Sequence, residues 1–119
     1  MNKKMNTNIS RRNLFSVIVI FKPDLKKFNK ILQLHNQNFL HIILVNNSPE
    51  ISLDSFKSSQ VTIINNPRNI GLASALNIGI HEAKKQGAKM VALFDQDSLL
   101  SKDFLQNMTF IWFDDFAIC

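Results

Sequence analysis

The sequence predicts an α/β fold in which a parallel sheet is covered by helices on both faces, an αβα sandwich. Short apolar runs rich in β-branched residues alternate with segments of helical periodicity, and the connections between them are short. Such alternation favours parallel strands. The chain has 119 residues, of which 45% are hydrophobic and 19% charged, so it is long enough for one domain with a packed core.

The first half of the chain contains two predicted strands and a predicted helix. Residues 15–21 are apolar and β-branched, and Lys22-Pro23-Asp24 ends this strand as a turn. Residues 39–45 form the second strand, which ends at Asn46-Asn47-Ser48. Between them a helix is predicted from the spacing of five residues: Leu25, Phe28, Ile31, Leu32 and His35.

The second half is predicted to contain two strands and two helices. Residues 61–64 form a third strand after the polar segment 50–60, and residues 89–94 form a fourth. The helix between them has an apolar face made of Leu72, Ala75, Leu76, Gly79, Ile80 and Ala83. Ser101 is expected to cap a last helix, with apolar residues Phe104, Leu105, Met108, Ile111 and Trp112.

Polar residues follow every predicted strand. They are Lys22-Pro23-Asp24, Asn46-Asn47-Ser48, the loop 65–71 and Asp95-Gln96-Asp97-Ser98. In parallel α/β sheets, ligands bind beyond the carboxyl ends of the strands. Four polar loops at one edge of the sheet therefore predict a binding crevice there.

The acidic loop suits a metal. Carboxylates at Asp95 and Asp97, two residues apart in an extended chain, project to the same side. Mg²⁺ typically takes one or two carboxylates and completes its shell with phosphate oxygens and water. The alternative is an ordinary turn, because Asp and Ser are also common turn residues.

Amide side chains supply the other candidates. Asn69-Ile70-Gly71 leads into a helix N-terminus, which attracts anions, although Asn69 would also serve as a simple helix cap. Asn46-Asn47-Ser48 could pair with the edge of a base or form a plain turn. Asn77 lies two turns into the helix, on its polar side.

Several other sites are excluded. No Gly-rich loop ending in Gly-Lys-Ser/Thr is present, and no G-x-G-x-x-G follows the first strand, which excludes a P-loop NTPase and argues against a dinucleotide oxidoreductase. His35, His41 and His81 share no ligand spacing and are predicted to be structural.

Charge and hydropathy predict a cytoplasmic protein. The net charge is +5, with four basic residues in the segment 1–13. That segment could bind nucleic acid or anionic lipid, but a solvated tail is favoured, and no nucleic-acid partner is expected. No stretch approaches the roughly 18 apolar residues that span a bilayer. Cys119 has no partner for a disulfide.

Read in order, the strand ends resemble the N-terminal half of family-two glycosyltransferases, which have the GT-A fold. The resemblance covers residues 14–110 and rests on four ordered motifs: Val17 to Phe21, Ile43 to Ser48, Asn69 to Gly79 and Leu93 to Ser98. The Asp-Gln-Asp-Ser form and the Asn-Ile-Gly-Leu-Ala run are most similar to bacterial rhamnosyltransferases that build surface polysaccharide.

The resemblance implies a role for each cluster. Asp97, with Asp95, would hold a divalent metal, Mg²⁺ or Mn²⁺, on the donor diphosphate, and Asp95 would also contact the ribose or sugar. Asn46-Asn47-Ser48 would hold a pyrimidine base. The cleft for a nucleoside-diphosphate sugar, with dTDP-L-rhamnose as the candidate donor, would further be lined by Asn69, Gly71, Asn77 and Gln96, with Lys22 at its mouth.

The sequence departs from the family at two places. The family usually has Asp where Asn46 stands, so the charge at this position is lost. In the family the catalytic base and acceptor site follow the metal motif, and residues 113–119 do not resemble that continuation. We therefore expect a tail (1–13), a partial donor-binding domain (14–112) and an atypical C-terminal tail (113–119), a truncated product with no catalytic residue assigned.

Two other functions remain open. The same half-fold could act as a non-catalytic nucleotide-sugar sensor, or as a partner of another transferase chain. For the protein's location, the inner face of the membrane is the alternative to the cytoplasm. A receiver-like domain ranks last, because it needs an acidic pocket after the first strand, where this chain has Lys22.

Overall fold

The computed structural model describes residues 14–96 and 109–113, and the helices and strands in this range follow the predicted alternation. The residues of the basic tail, of Asp97-Ser98, of the predicted helix from 101 to 108 and of the tail from 114 onward lie outside it. The elements are β1 (Leu14–Ile20), α1 (Leu25–Asn38), β2 (His41–Asn46), a 3₁₀ turn (Asp54–Phe56), β3 (Val61–Asn65), α2 (Leu72–Lys85), β4 (Met90–Asp95) and β5 (Thr109–Trp112).

The described strands form one sheet in the order β3-β2-β1-β4-β5. The first four are parallel, and β5 is antiparallel to β4. The register aligns their carboxyl ends: Ile20 pairs with Asn46, and Asn46 pairs with Asn65. Next to them, Val19 pairs with Asp95. The prediction of a parallel α/β sheet is confirmed.

The two faces of the sheet carry different helices. Alternate residues of a strand point to opposite faces, so Ile18 and Ile20 pack toward Phe28 of α1, whereas Val17 and Val19 pack toward Ala75 of α2. The α1 face is filled by large side chains. The α2 face contains small ones, and at Gly79 an added Cβ would overlap the side chain of Val17. Helix α2 therefore lies close against β1.

His35 is part of the core on the α1 side of the sheet, which agrees with the structural role predicted for it. The ring is buried, its Nδ1 lies 2.9 Å from the Ser16 hydroxyl, and it meets Phe94 edge-on with centroids 4.6 Å apart. Burial lowers the pKa of His35 from 6.5 to about 3, because the charged imidazolium would lose its hydration. The side chain is therefore neutral at neutral pH.

The predicted last helix is wrong at its C-terminal end. Ile111 and Trp112 fitted the helical spacing, but residues 109–112 form β5, which pairs Met90 with Trp112 and Leu93 with Thr109. A short apolar run satisfies both periodicities, and its aromatic and β-branched residues suit the open edge of β4. Phe113 continues the contact, since its N–H donates to the carbonyl of Lys89.

Two residues assigned to apolar helix faces are exposed instead. Leu25 and Leu72 are the first residues of α1 and α2, where the chain enters from the sheet edge, and their exposed fractions are 42% and 53%.

Among the described residues, no helix has the length and apolarity needed to cross a membrane.

Candidate functional site

A cleft of about 300 Å³ opens at the carboxyl edge of the sheet. Its walls come from β1 and the loop after it, from the loop after β2, from the entry to α2 and from the end of β4. The residues that line it are Val19, Phe21, Asn47, Asn69, Gly71, Leu72 and Gln96. The volume lies at the lower end of the range of about 300–1,000 Å³ that is usual for small-molecule pockets.

The turn after β1 presents an aromatic ring and a cation at this cleft. Phe21 is 43% exposed, and the Lys22 ammonium lies 5.3 Å from the centroid of its ring. Lys22 has a φ of 46°, in the left-handed region that a residue with a Cβ seldom adopts. Its N–H donates to the Ser48 hydroxyl over 2.8 Å, which holds this conformation. The structure therefore places Lys22 beside the cleft wall.

Asn46 and Ser48, on either side of Asn47, are buried and do not line the cleft; their side chains are bonded inside the protein. Both are 1% exposed. The Asn46 amide donates to the carbonyl of Ile51 and to Oδ1 of Asn65, and its own Oδ1 accepts from the N–H of Ser48. An aspartate could not make the two donations. Their assignment as base ligands stays a prediction, and the described contacts are those of a scaffold.

Asn47 joins the loop after β2 to the entry of α2. It is 2% exposed, and its Nδ2 donates to the carbonyl of Gly71 over 3.2 Å. Its Oδ1 accepts from Nδ2 of the buried Asn66 at 2.8 Å and from the N–H of Ile70 at 3.5 Å. One buried amide thus fixes the segment 66–71, which forms a wall of the cleft.

The entry to α2 exposes backbone donors. Gly71 is the N-cap residue, with a φ of 88° that favours glycine, and no side chain caps the helix. Asn69 is not the cap: its Oδ1 accepts from the N–H of Gly71, one residue before the helix begins. The first turn contains no acidic residue. Uncapped N–H groups and the helix dipole make this end of α2 suitable for an anion.

The end of β4 brings the backbone of Asp95 and the side chain of Gln96 to the same edge. The backbone of Asp95 pairs with Val19, and Gln96 lines the cleft. Both polar atoms of the Gln96 side chain bond to the backbone of Phe21. Asp97, the principal metal ligand implied by the resemblance, lies outside the described residues.

The structure does not bring Asn77 into this cleft. Asn77 lines a second pocket of about 450 Å³ beside α2, together with Ile64, Ile78, His81 and Glu82. That pocket is larger, and none of its lining residues lines the cleft. Within the described ranges, no three His, Cys, Asp or Glu residues come together as a metal site.

His41, at the opposite edge of the sheet, is part of a polar contact between strands. Its Nε2 lies 2.6 Å from the Thr62 hydroxyl. Burial lowers the pKa of His41, and the negative charge of Glu82 partly opposes that shift. The contact agrees with the structural role predicted for this histidine.

Sequence reasoning missed three residues of the cleft wall. Val19, Phe21 and Leu72 are apolar, and each was assigned to a strand or to the apolar face of a helix. The available signal was position: Phe21 is the last apolar residue before a turn, and Leu72 directly follows the helix cap. Apolar residues at a strand end or helix start lie over the edge of the core.

Comparisons with known proteins agree with the geometry. The model of the family described as glycosyl transferase family 2 matches residues 16–118. A dTDP-rhamnosyl transferase of Shigella flexneri, RfbF, is 33% identical over 100 residues, which cover 82% of this chain and 33% of that protein. The chain therefore spans about a third of the length of this relative.

Proposed function

This chain belongs to glycosyl transferase family 2, and we propose that the cleft at the carboxyl edge of its sheet binds the nucleoside diphosphate of an activated sugar. The similar protein from Shigella flexneri is named for dTDP-rhamnose transfer, so dTDP-L-rhamnose is the first donor to test. Surface polysaccharide is the proposed product.

The observation that carries the proposal is the composition of the cleft wall. An exposed aromatic ring lies on one side, at Phe21, and an uncapped helix N-terminus lies on the other, at Gly71 and Leu72. An aromatic face can stack on a base, and uncapped N–H groups can bind phosphate. A nucleoside diphosphate contains both a base and phosphate groups, so it could contact both walls at once.

Charge at the cleft mouth supports the same ligand. The Lys22 ammonium lies against the Phe21 ring, at the border of the cleft. A cation there would attract a diphosphate before it docks and would lie close to a stacked base. The first turn of α2 has no carboxylate to oppose a bound anion.

The acidic motif is the proposed metal site. Asp95 ends β4 at the sheet edge that carries the cleft, in register with Val19. Two carboxylates, Asp95 and Asp97, match the way Mg²⁺ is held, with phosphate oxygens and water as the remaining ligands. A bound Mg²⁺ or Mn²⁺ would supply positive charge to the leaving diphosphate. The chain's own residues would orient the donor and exclude water from it.

Isothermal titration calorimetry of the full chain with dTDP and with dTDP-L-rhamnose, in Mg²⁺ and in EDTA, tests the proposal. We expect binding in Mg²⁺ that weakens by about tenfold or more in Asp97→Asn, because one metal ligand is lost. Asp54→Asn is the matched control, since Asp54 is an exposed carboxylate on the 3₁₀ turn.

Equal binding by wild type and Asp97→Asn would contradict the metal site. Absence of binding by the wild-type chain in Mg²⁺ would contradict the nucleotide site itself. A preference for another nucleoside diphosphate would keep the site and replace the donor.

A further inference from the structure

Gln96 stands between the two aspartates of the acidic motif, yet its side chain is engaged elsewhere. Its Oε1 accepts from the N–H of Phe21 at 2.7 Å, and its Nε2 donates to the carbonyl of the same residue. The two residues are 75 positions apart in sequence. Both ends of the amide are therefore used by one backbone unit of the turn after β1.

These two bonds continue the hydrogen bonding between β1 and β4 by one more residue pair. The backbone pairing of β1 with β4 reaches Val19 and Asp95. Beyond it, the Gln96 amide presents an acceptor and a donor to Phe21, as a neighbouring strand would. A side-chain amide can replace a peptide group here because it carries the same two hydrogen-bonding groups.

The turn is held from its other side as well. The N–H of Lys22 donates to the Ser48 hydroxyl at the end of β2. Because Lys22 has a positive φ, the turn is held in a conformation that costs free energy and needs outside support. Ser48 and Gln96 supply that support from the strands on either side of β1.

We propose that Gln96 is a positioning residue, which fixes the Phe21–Lys22 turn to the end of β4 and thereby holds the aromatic wall of the cleft in place. The inference rests on the proposed nucleotide site. It assigns Gln96 to the protein's own backbone, because its hydrogen-bonding atoms already have partners. The nucleotide would meet Phe21 in a preorganised place.

Amide hydrogen exchange of the free protein tests, without any ligand, whether the Gln96 side chain holds the backbone of Phe21. Gln96→Met removes both bonds and keeps the length of the side chain. We expect the amide of Phe21 to exchange about tenfold faster in this variant, since a hydrogen bond of ordinary strength is lost at an exposed turn. Gln33→Met, on the exposed side of α1, is the matched control and should leave this rate unchanged.

Titration of the same variants with dTDP and Mg²⁺ tests the consequence. Gln96→Met should bind about tenfold more weakly than wild type, and Gln33→Met should bind as wild type does. An unchanged exchange rate at Phe21 would overturn the claim that Gln96 holds this turn. Faster exchange with unchanged affinity would overturn its positioning role and leave the proposed function intact. A wild-type chain that binds no dTDP would end both proposals before any variant is compared.

Discussion

Two asparagine-containing segments at the carboxyl edge of the sheet lie in opposite environments. Asn46-Asn47-Ser48, after β2, is 1–2% exposed, and each of its side chains bonds to a neighbouring loop or turn. The entry to α2, from Asn69 to Leu72, is mainly exposed, lines the cleft and leaves the helix without a side-chain cap. The first segment acts as scaffold, and the second is available to a ligand.

The difference teaches that polarity at a strand end does not by itself identify a ligand-binding residue. A buried amide whose donors and acceptor are already used stabilises the loops around it. An exposed backbone N–H without a partner is available for binding. Substitutions in the first segment should therefore reduce stability, and substitutions at the cleft wall should reduce affinity.

The largest expected effect is on the scaffold side, in Asn47→Leu. This change removes the acceptor of the buried Asn66 side chain and the donor to Gly71. We expect the free energy of unfolding to fall by about 2–3 kcal/mol, measured by urea denaturation, because buried polar groups lose their partners. Asn69→Ala, at an exposed position with one local bond, should cost less than about 1 kcal/mol. Equal losses would remove the distinction between the two segments.

Acid should reduce the stability of the whole fold through His35 in the core on the α1 side of the sheet. The pKa of His35 is about 3 in the folded protein and about 6.5 in the unfolded chain. Below pH 6.5 the unfolded chain gains a proton that the folded one does not, so stability is complete above that pH and declines toward pH 3. Between pH 7 and pH 5 the expected loss is about 2 kcal/mol.

Unfolding curves of wild type and His35→Gln at pH 7 and pH 5 isolate this contribution. His41 also has a lowered pKa and adds to the wild-type slope in the same direction, but it is present in both proteins. The variant should lose about 2 kcal/mol less than wild type over the same interval. Parallel losses in the two proteins would show that His35 is not the group responsible.

A smaller effect is expected at the cleft wall, in Phe21→Ala. Phe21 is 43% exposed. Loss of the exposed part of the ring should change the free energy of unfolding by about 0.5 kcal/mol or less, and loss of packing by its buried part adds to this. Affinity for dTDP should fall by about tenfold, since stacking on an aromatic ring contributes about 1–3 kcal/mol per base. Leu34→Ala, at an exposed apolar position on α1, should bind as wild type does. A large loss of stability with unchanged affinity would place Phe21 in the scaffold.

The sequence was sufficient for the four parallel strands, and it indicated the edge of the sheet at which the cleft opens. Strong apolar runs defined β1 to β4, and the polar residues after them marked the carboxyl edge. It was insufficient for β5, because Ile111 and Trp112 satisfy a helical spacing as well as a strand. It also could not separate Asn47 from Asn69, because the hydrogen bonds that bury Asn47 come from residues 19–24 positions later in the chain. Asn77 lines the second pocket in this structure, and its assignment to the nucleotide cleft stays a prediction.

The most direct test is chemical-shift mapping of the full chain by NMR as dTDP and Mg²⁺ are added. The account predicts that the amide signals of Phe21, Gly71, Leu72 and Gln96 shift together with one apparent affinity, because these residues share the cleft. It predicts little change at Ile64, Asn77 and Ile78 around the second pocket. Shifts centred on the second pocket, or none at Gly71 and Leu72, would contradict it.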